Sequence, residues 1–377
     1  MLNHGHEALR ERVRAILAEI VLPHADSWEQ QRRIPGTAWK ALGNQGMLAL
    51  PHDGTGFLES AVLCEELGRT GYAGLRAALA VHAYMAASYL HQFGSDRQRR
   101  TYLEPVQRGE LVAALAISEP HAGSDLRHLT TRATPVADDP EQYRLRGVKA
   151  HVANGVSADL AVTVAITSPA TTGLAGASII IADLDNAAVQ RHVEEPLGFR
   201  SSGVASLAFE DAPVAASNVL GKPGRALRQL MQALDFERLI AGLLALGGAR
   251  YTLELLGAHV RTHVVGDTAL SGFQSVRHRL ADLTGQLALV RQFAYFAAWQ
   301  HSRGRLDTFT AATLKQKATD LELAAALACM HFHGAHGYQE DSIPARLYRD
   351  AVAAPITAGV NELLKDLAFE AAGALIP

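Results

Sequence analysis

Glu237 is the residue of this chain whose type and surroundings most directly suggest chemistry. On a helix its neighbours three and four positions away are Ala233, Leu234, Ile240 and Ala241, with Leu230 and Leu244 one turn further. The carboxylate therefore lies on an apolar stripe. Desolvation raises a carboxyl pKa toward neutrality, the range in which a general base works. Two other fates stay open at this stage. A helical glutamate commonly turns to water, and the adjacent Arg238 offers a buried ion pair, although successive helical residues point about 100° apart. A second segment, 114–125, runs Ala-Leu-Ala-Ile-Ser-Glu-Pro-His-Ala-Gly-Ser-Asp. It passes from strand-like residues into a Pro/Gly/Ser loop. Such a loop either aims N–H groups and hydroxyls at a cofactor edge or phosphate, or is an ordinary turn.

Other chemistries find no support. There is no G-x-G-x-x-G after a strand, no phosphate-binding G-x-x-x-x-G-K-[ST] and no G-x-S-x-G. His331, His333 and His336 do not share one helical face and have no carboxylate at helical spacing before them. They read as polar residues, with no metal expected. Cys64 and Cys329 cannot build a disulfide framework. A net charge of −3 gives no electrostatic reason to expect nucleic acid or an anionic membrane. The longest apolar run, 239–249, is short of the roughly 20 residues that span a bilayer. The first residues lack a signal peptide's apolar core. The expectation is a cytoplasmic protein with no membrane partner.

The elements that must position these residues fall into three stretches. Residues 5–20 carry Leu9, Val13, Ile16, Leu17 and Ile20 on one face. Pro35 opens a second helix with Trp39, Leu42 and Met47 inward, and 51–57 is a loop. Residues 58–68, 75–93 and 96–108 read as further helices. Short apolar or alternating runs then appear at 111–117, 143–148, 160–167, 177–182 and 205–209, bounded by Gly, Pro, Asp and Ser. Long helical periods return at 224–264, 273–302, 307–334 and 343–374. The fold class is α+β: a helical domain over 1–110, a β-barrel or sandwich over 111–222 and a four-helix bundle over 223–377.

In this order, several segments together resemble the acyl-CoA dehydrogenase family. They are Ser118-Glu119-Pro120-His121-Ala122-Gly123-Ser124-Asp125, Gly147-Val148-Lys149-Ala150-His151-Val152-Ala153-Asn154-Gly155, Glu195-Pro196-Leu197-Gly198-Phe199-Arg200, Gly334-Ala335-His336-Gly337-Tyr338 and Arg346-Leu347-Tyr348-Arg349-Asp350. The resemblance covers nearly the whole chain and implies the same three-domain layout. It also implies FAD between the β domain and the bundle, and a homodimer or homotetramer in which a neighbour completes the FAD site. The implied reaction removes an α-proton and a β-hydride from an acyl thioester, carried by CoA or an acyl carrier protein. Electron-transferring flavoprotein is the acceptor usual in the family.

The resemblance also implies roles for single residues. Most members carry the base immediately before a Gly-Thr pair; here Ala358 occupies that position, before Gly359-Val360. Ala358 cannot be a base, but its N–H remains an oxyanion donor. A minority, typified by isovaleryl-CoA dehydrogenase, place the base in a Leu-Asp-x-Glu-Arg context, matched here by Leu234-Asp235-Phe236-Glu237-Arg238. Ile117 and Ser118 should then meet the flavin ring, and Gly123 and Ser124 the pyrophosphate region. Ser124 should also near the thioester tether, with Asp235 and Arg238 along the pantetheine arm. Arg261, Gln274, His331 and Gly334 match positions that reach a neighbour's FAD. Departures cluster on the flavin side. His151 replaces an aromatic residue, Ala153 a threonine, His331 a glutamine, Ala335 a glycine and Val360 a threonine. Each lost hydrogen bond removes about 0.5–1.5 kcal/mol. The alternatives to a dehydrogenase are an oxidase or monooxygenase on this fold, or a binding protein with weakened or lost FAD affinity.

Overall fold

The computed structural model describes residues 3–168 and 173–374. The amino-terminal part is helical: α1 (His4–Ile16), α2 (Ala25–Gln31), α3 (Gly36–Asn44), α4 (Phe57–Gly68), α5 (Ala73–Ala80), α6 (Ala87–Phe93), α7 (Asp96–Gln98) and α8 (Glu104–Gln107). Asn3 and His6 form a reciprocal cap that starts α1. The helix expected over 5–20 ends at Ile16 and continues as a π-turn to Val21. α2 was not anticipated, and Arg32, at φ 53°, ends it. Trp39, Leu42 and Met47 are buried as their spacing predicts. α5 and α6 form one rod, joined by a π-helical stretch at Val81–Ala86. α4 is buried on nearly every side, so it is a core helix rather than a surface one.

The middle part is a curled sheet of β1 (Ala113–Ala116), β2 (Arg132–Val136), β3 (Asp139–Val152), β4 (Leu160–Ile166), β5 (Ala177–Asp183), β6 (Val189–Val193) and β7 (Ala205–Ala215). The path is β1-β4-β2-β3-β7-β6, with β5 added to β4. β4 and β5 are apolar along nearly their whole length because both their faces are covered. β2 and β6 were not expected as strands. Their residues are mostly half-exposed or exposed and carry no clean alternation.

The carboxyl-terminal part contains α9 (Ala226–Thr262), a short hairpin of β8 (Val264–Val265) and β9 (Thr268–Ala269), α10 (Gln274–Ser302), α11 (Thr308–Phe332), α12 (Gly334–Gly337), α13 (Ile343–Ala353) and α14 (Asn361–Ala371). The single helix expected over 343–374 is two. Pro355 supplies no N–H, and Ala358 and Gly359 take φ of 53° and 95°, which breaks the helix between them. Three long helices and this split pair therefore make the bundle.

α9 has the length and apolarity of a membrane span, yet 72% of its apolar window is buried inside the protein. It packs against α4 backbone to backbone. A Cβ on Gly247 would lie 2.0 Å from the Glu65 carbonyl oxygen, and one on Gly68 would lie 2.1 Å from that of Leu244. Gly247→Ala should accordingly lower stability by about 3 kcal/mol, the upper end of overpacking costs. Chemical denaturation checks this, and an unchanged midpoint would contradict the close crossing. The three parts are stitched together at Asp350, which accepts the N–H of Ala73 at 3.1 Å and of Phe199 at 2.8 Å.

Candidate active site

Glu237 lies on the buried face of α9, with 6% of its surface exposed. The only hydrogen bond to its side chain among the described residues comes from the Tyr89 hydroxyl of α6, which donates to Oε1 at 2.9 Å. Tyr89 is itself fully buried. Burial pushes the Glu237 carboxyl up to about 7; the Tyr89 bond and the charge of Arg238 only partly oppose it. The ion pair with Arg238 that stayed open from sequence does not form. Arg238 turns to Asp235 instead, with Nη1 to Oδ1 at 2.7 Å. The other Asp235 oxygen accepts from Thr308 Oγ1 at 2.7 Å. Glu237 is thus an acid left without a paired cation, raised toward neutrality by burial and only partly opposed by one neutral donor.

Tyr89→Phe removes the one donor that favours the charged form. The Glu237 pKa should rise further, by about one pH unit, the size of a hydrogen bond to a charged group. The acidic limb of kcat/KM should move to higher pH by the same amount, and an unmoved limb would separate Tyr89 from the ionisation.

Ala358 sits in the loop between α13 and α14. A non-glycine residue in the left-handed region costs about 1–2 kcal/mol. Among the described residues its N–H donates no hydrogen bond. The loop is tied down from α11 by Lys315, which is fully buried. Lys315 Nζ donates to the carbonyls of Pro355 (3.2 Å) and Gly359 (2.6 Å) and to Asn361 Oδ1 (3.0 Å). Sequence reading missed Lys315, although the signal that marks Glu237 marks it too. Its helical neighbours are Ala311, Ala312, Ala318 and Thr319.

The 117–125 loop begins where β1 ends. Glu119 is buried at its base and accepts from Thr130 N (2.7 Å), Thr130 Oγ1 (2.7 Å), Thr131 N (3.0 Å) and Lys149 Nζ (2.9 Å). Burial alone would raise its pKa, but Lys149 and the threonine donors hold it down to about 2. Lys149, fully buried on β3, also donates to the Ile117 carbonyl at 3.0 Å. Ala150 N donates to the Ser118 carbonyl at 3.0 Å. The backbone of Ile117 and Ser118 is therefore fixed. Both side chains are half-exposed, and Gly123 and Ser124 are open to solvent. Sequence reading quoted Glu119 and Lys149 only as motif letters and did not see the ion pair.

His151 follows at a bulge in β3, at φ 56°. Its N–H donates to Glu194 Oε1 at 3.0 Å, and its Nδ1 meets Glu194 Oε2 at 2.6 Å. A carboxylate only accepts, so Nδ1 carries the proton and Nε2 faces outward. Ala153 is half-exposed close by in sequence. The remaining expected residues lie elsewhere. Arg261 is 24 positions beyond Glu237 on α9, about 36 Å along a helix. Arg261, Gln274, His331 and Gly334 are all exposed. They flank the apolar cluster of Val260, Val276, Cys329 and Phe332 at the far end of the bundle. There His333 stacks on His259 with centroids 3.7 Å apart.

Comparison with known proteins decides the family. Profiles for the amino-terminal, middle and carboxyl-terminal domains of acyl-CoA dehydrogenase match residues 3–110, 114–212 and 224–372. The chain belongs to the acyl-CoA dehydrogenase family. It is 30% identical over 375 residues to the mitochondrial long-chain specific acyl-CoA dehydrogenase of Rattus norvegicus, covering 97% of this chain and 86% of that one. The crystal structure of an acyl-CoA dehydrogenase from Geobacillus kaustophilus superposes with a TM-score of 0.92 at 29% identity, over 98% of each chain. The prolyl acyl carrier protein oxidase AnaB superposes with a TM-score of 0.90 at 25% identity, over 99% of this chain and 100% of that one. Within this family the features above acquire a common setting. Ser118 is half-exposed and Ser124 exposed in the loop after β1, which leaves both hydroxyls open to a ligand such as a flavin nucleotide. The buried Arg238 Nε has no protein partner among the described residues. Such a group calls for a polar ligand.

Proposed function

We propose that this chain dehydrogenates an acyl thioester between its α and β carbons, with Glu237 as the base. The observation that carries the reading is a buried carboxyl with no cationic partner, held at about 7. That value matches a base working near neutral pH. A thioester carbonyl acidifies its α-hydrogen. Glu237 takes that proton, and the Ala358 N–H donates to the oxygen on which charge develops. FAD, when bound, supplies the acceptor for the β-hydride. Ile117 and Ser118 would line the flavin edge beside His151 and Ala153, and Gly123 and Ser124 the pyrophosphate. Arg238, oriented by Asp235, would meet the pantetheine arm through its unpartnered Nε, with Ser124 near the tether.

The separation of about 36 Å between Glu237 and Arg261 supports a shared site. Arg261, Gln274, His331 and Gly334 of one copy would reach the FAD of another, which requires a homodimer or homotetramer. CoA and carrier-protein thioesters end in the same phosphopantetheine arm. The carrier protein oxidase among the structural neighbours supports the carrier tether as an alternative to CoA. Electron-transferring flavoprotein, in the cytoplasm, is the acceptor this reading takes. Anaerobic titration of the purified flavoprotein with a panel of acyl-CoA and acyl-carrier-protein thioesters tests the reaction. Bleaching of the flavin by a thioester is the expected result. A protein that binds FAD but is reduced by no thioester would end the reading, and one that takes up no FAD would favour a binding role.

A further inference from the structure

The mechanism uses the Ala358 N–H but leaves open what holds it in a strained place. In the loop between α13 and α14, the N–H groups of Ile356 and Thr357 donate to the Ala353 carbonyl and that of Asn361 to the Pro355 carbonyl. The loop's two left-handed residues, Ala358 and Gly359, accompany carbonyls of Pro355 and Gly359 that face inward. Lys315 meets both of these carbonyls and Asn361 Oδ1, so all three of its N–H bonds are used. Asn361 is fixed in turn, donating to Thr319 Oγ1 at 3.0 Å and Asp320 Oδ1 at 2.8 Å. The same lysine borders the helix of the base. Gly242, five residues after Glu237 on α9, packs so closely that a Cβ there would lie 2.8 Å from Leu314 Cγ and 3.4 Å from the Lys315 backbone nitrogen. Lys315 therefore spans from the helix of the proposed base to the loop of the proposed oxyanion donor.

Building on the proposed dehydrogenation, we propose that Lys315 is a positioning residue, which sets the Ala358 N–H toward the thioester oxygen and holds it there as the α-proton leaves. In that step the α C–H bond breaks, the proton passes to the Glu237 carboxylate and the electron pair moves onto the carbonyl oxygen. Lys315 touches neither the substrate nor the proton. Its buried charge, just behind the loop, also adds favourable potential to the side where negative charge develops.

Lys315→Met and Lys315→Gln test this. Met keeps the length without donors; Gln is uncharged yet reaches one carbonyl and guards against misfolding of the first variant. Removal of an oxyanion donor commonly costs about 10²–10³ in kcat, so Lys315→Met should lose about a hundredfold and Lys315→Gln about tenfold, with KM nearly unchanged. A second readout uses an acyl thioester with sulfur in place of its β-carbon. It can lose the α-proton to Glu237 but has no β-hydride to give. The pH at which its bound enolate forms, followed by long-wavelength charge-transfer absorbance, should rise by about two pH units in Lys315→Met. Wild-type kcat and an unshifted enolate titration in either folded variant would overturn the proposal. So would a loss of kcat that merely tracks lost flavin or a lowered melting temperature. Failure of the dehydrogenase reading itself looks different: the wild-type enzyme would then not be bleached by any thioester, whatever stands at 315.

Discussion

Glu237→Gln should abolish turnover while leaving the protein folded and better able to withstand alkaline pH. The amide keeps an oxygen for the Tyr89 hydroxyl, which donates at 2.9 Å, so the packing of α6 on α9 is preserved. It cannot take a proton, and a positioned general base contributes about 10²–10⁴ in rate. A fall in kcat of about 10³ or more is expected, with the flavin still bound but not bleached. The stability consequence has a definite sign. The folded-state pKa of Glu237 is raised to about 7, against about 4.3 in an unfolded chain. The folded form therefore binds more protons between these values, and wild-type stability falls as pH rises through that window. The loss is complete about one pH unit above the folded-state pKa and amounts to roughly 4 kcal/mol. The introduced amide does not titrate, so the variant should gain on the wild type as pH rises from about 5 to about 8. Melting temperatures at these two pH values give the answer. A constant difference would show that Glu237 is not buried and neutralised as described, and undiminished turnover would remove it as the base.

Lys149→Met should destabilise the protein by about 3–5 kcal/mol, because it strands the Glu119 carboxylate without its cation in the interior. Lys149 is fully withdrawn from water and Glu119 nearly so, at 0% and 5% exposure. The threonine donors remain, but three neutral hydrogen bonds do not replace a buried charge. The effect should extend to the cofactor. Lys149 also holds the Ile117 carbonyl, so the backbone beside Ser118 loses an anchor and FAD retention should fall with stability. Pairing the change with Glu119→Gln removes both charges and should recover much of the loss, since an ion pair in the interior is often matched by uncharged residues of similar size. Denaturation midpoints of the two single variants and the double variant measure the coupling. Additive losses would mean that the pair does not act as a unit.

The departures from the family pattern look different once placed. His151 keeps a partner, since Glu194 binds both its N–H and its ring. Ala153 brings no hydroxyl, so any bond lost there is not replaced by its own side chain. His331 is exposed, beside the apolar cluster that holds Val260 and Cys329. The departures therefore fall in two places, one around His151 on β3 and one around His331 on α11.

Helix periods and the apolar stripe around Glu237 were legible in the sequence because both are local. Residues three and four apart share a face whatever that face meets, so the apolar stripe around Glu237 could be read from its own neighbours, while a turn toward water stayed open. The motif letters of 118–125 and 147–155 were legible for a different reason, as a resemblance that no periodicity supplies. What the face meets is not local. Tyr89, 148 positions away, became the partner of Glu237, and Arg238, next in sequence, went to Asp235. Lys149 found Glu119 across 30 positions, and Lys315 found a loop 44 positions on at Gly359. β2, inside the sheet, and β6, at its edge, escaped notice because their mostly half-exposed or exposed residues show no clean alternation. Local pattern was enough to say which groups leave water. Which of them meet was settled only when the chain packed, since burial is a property of one face and a hydrogen bond belongs to two.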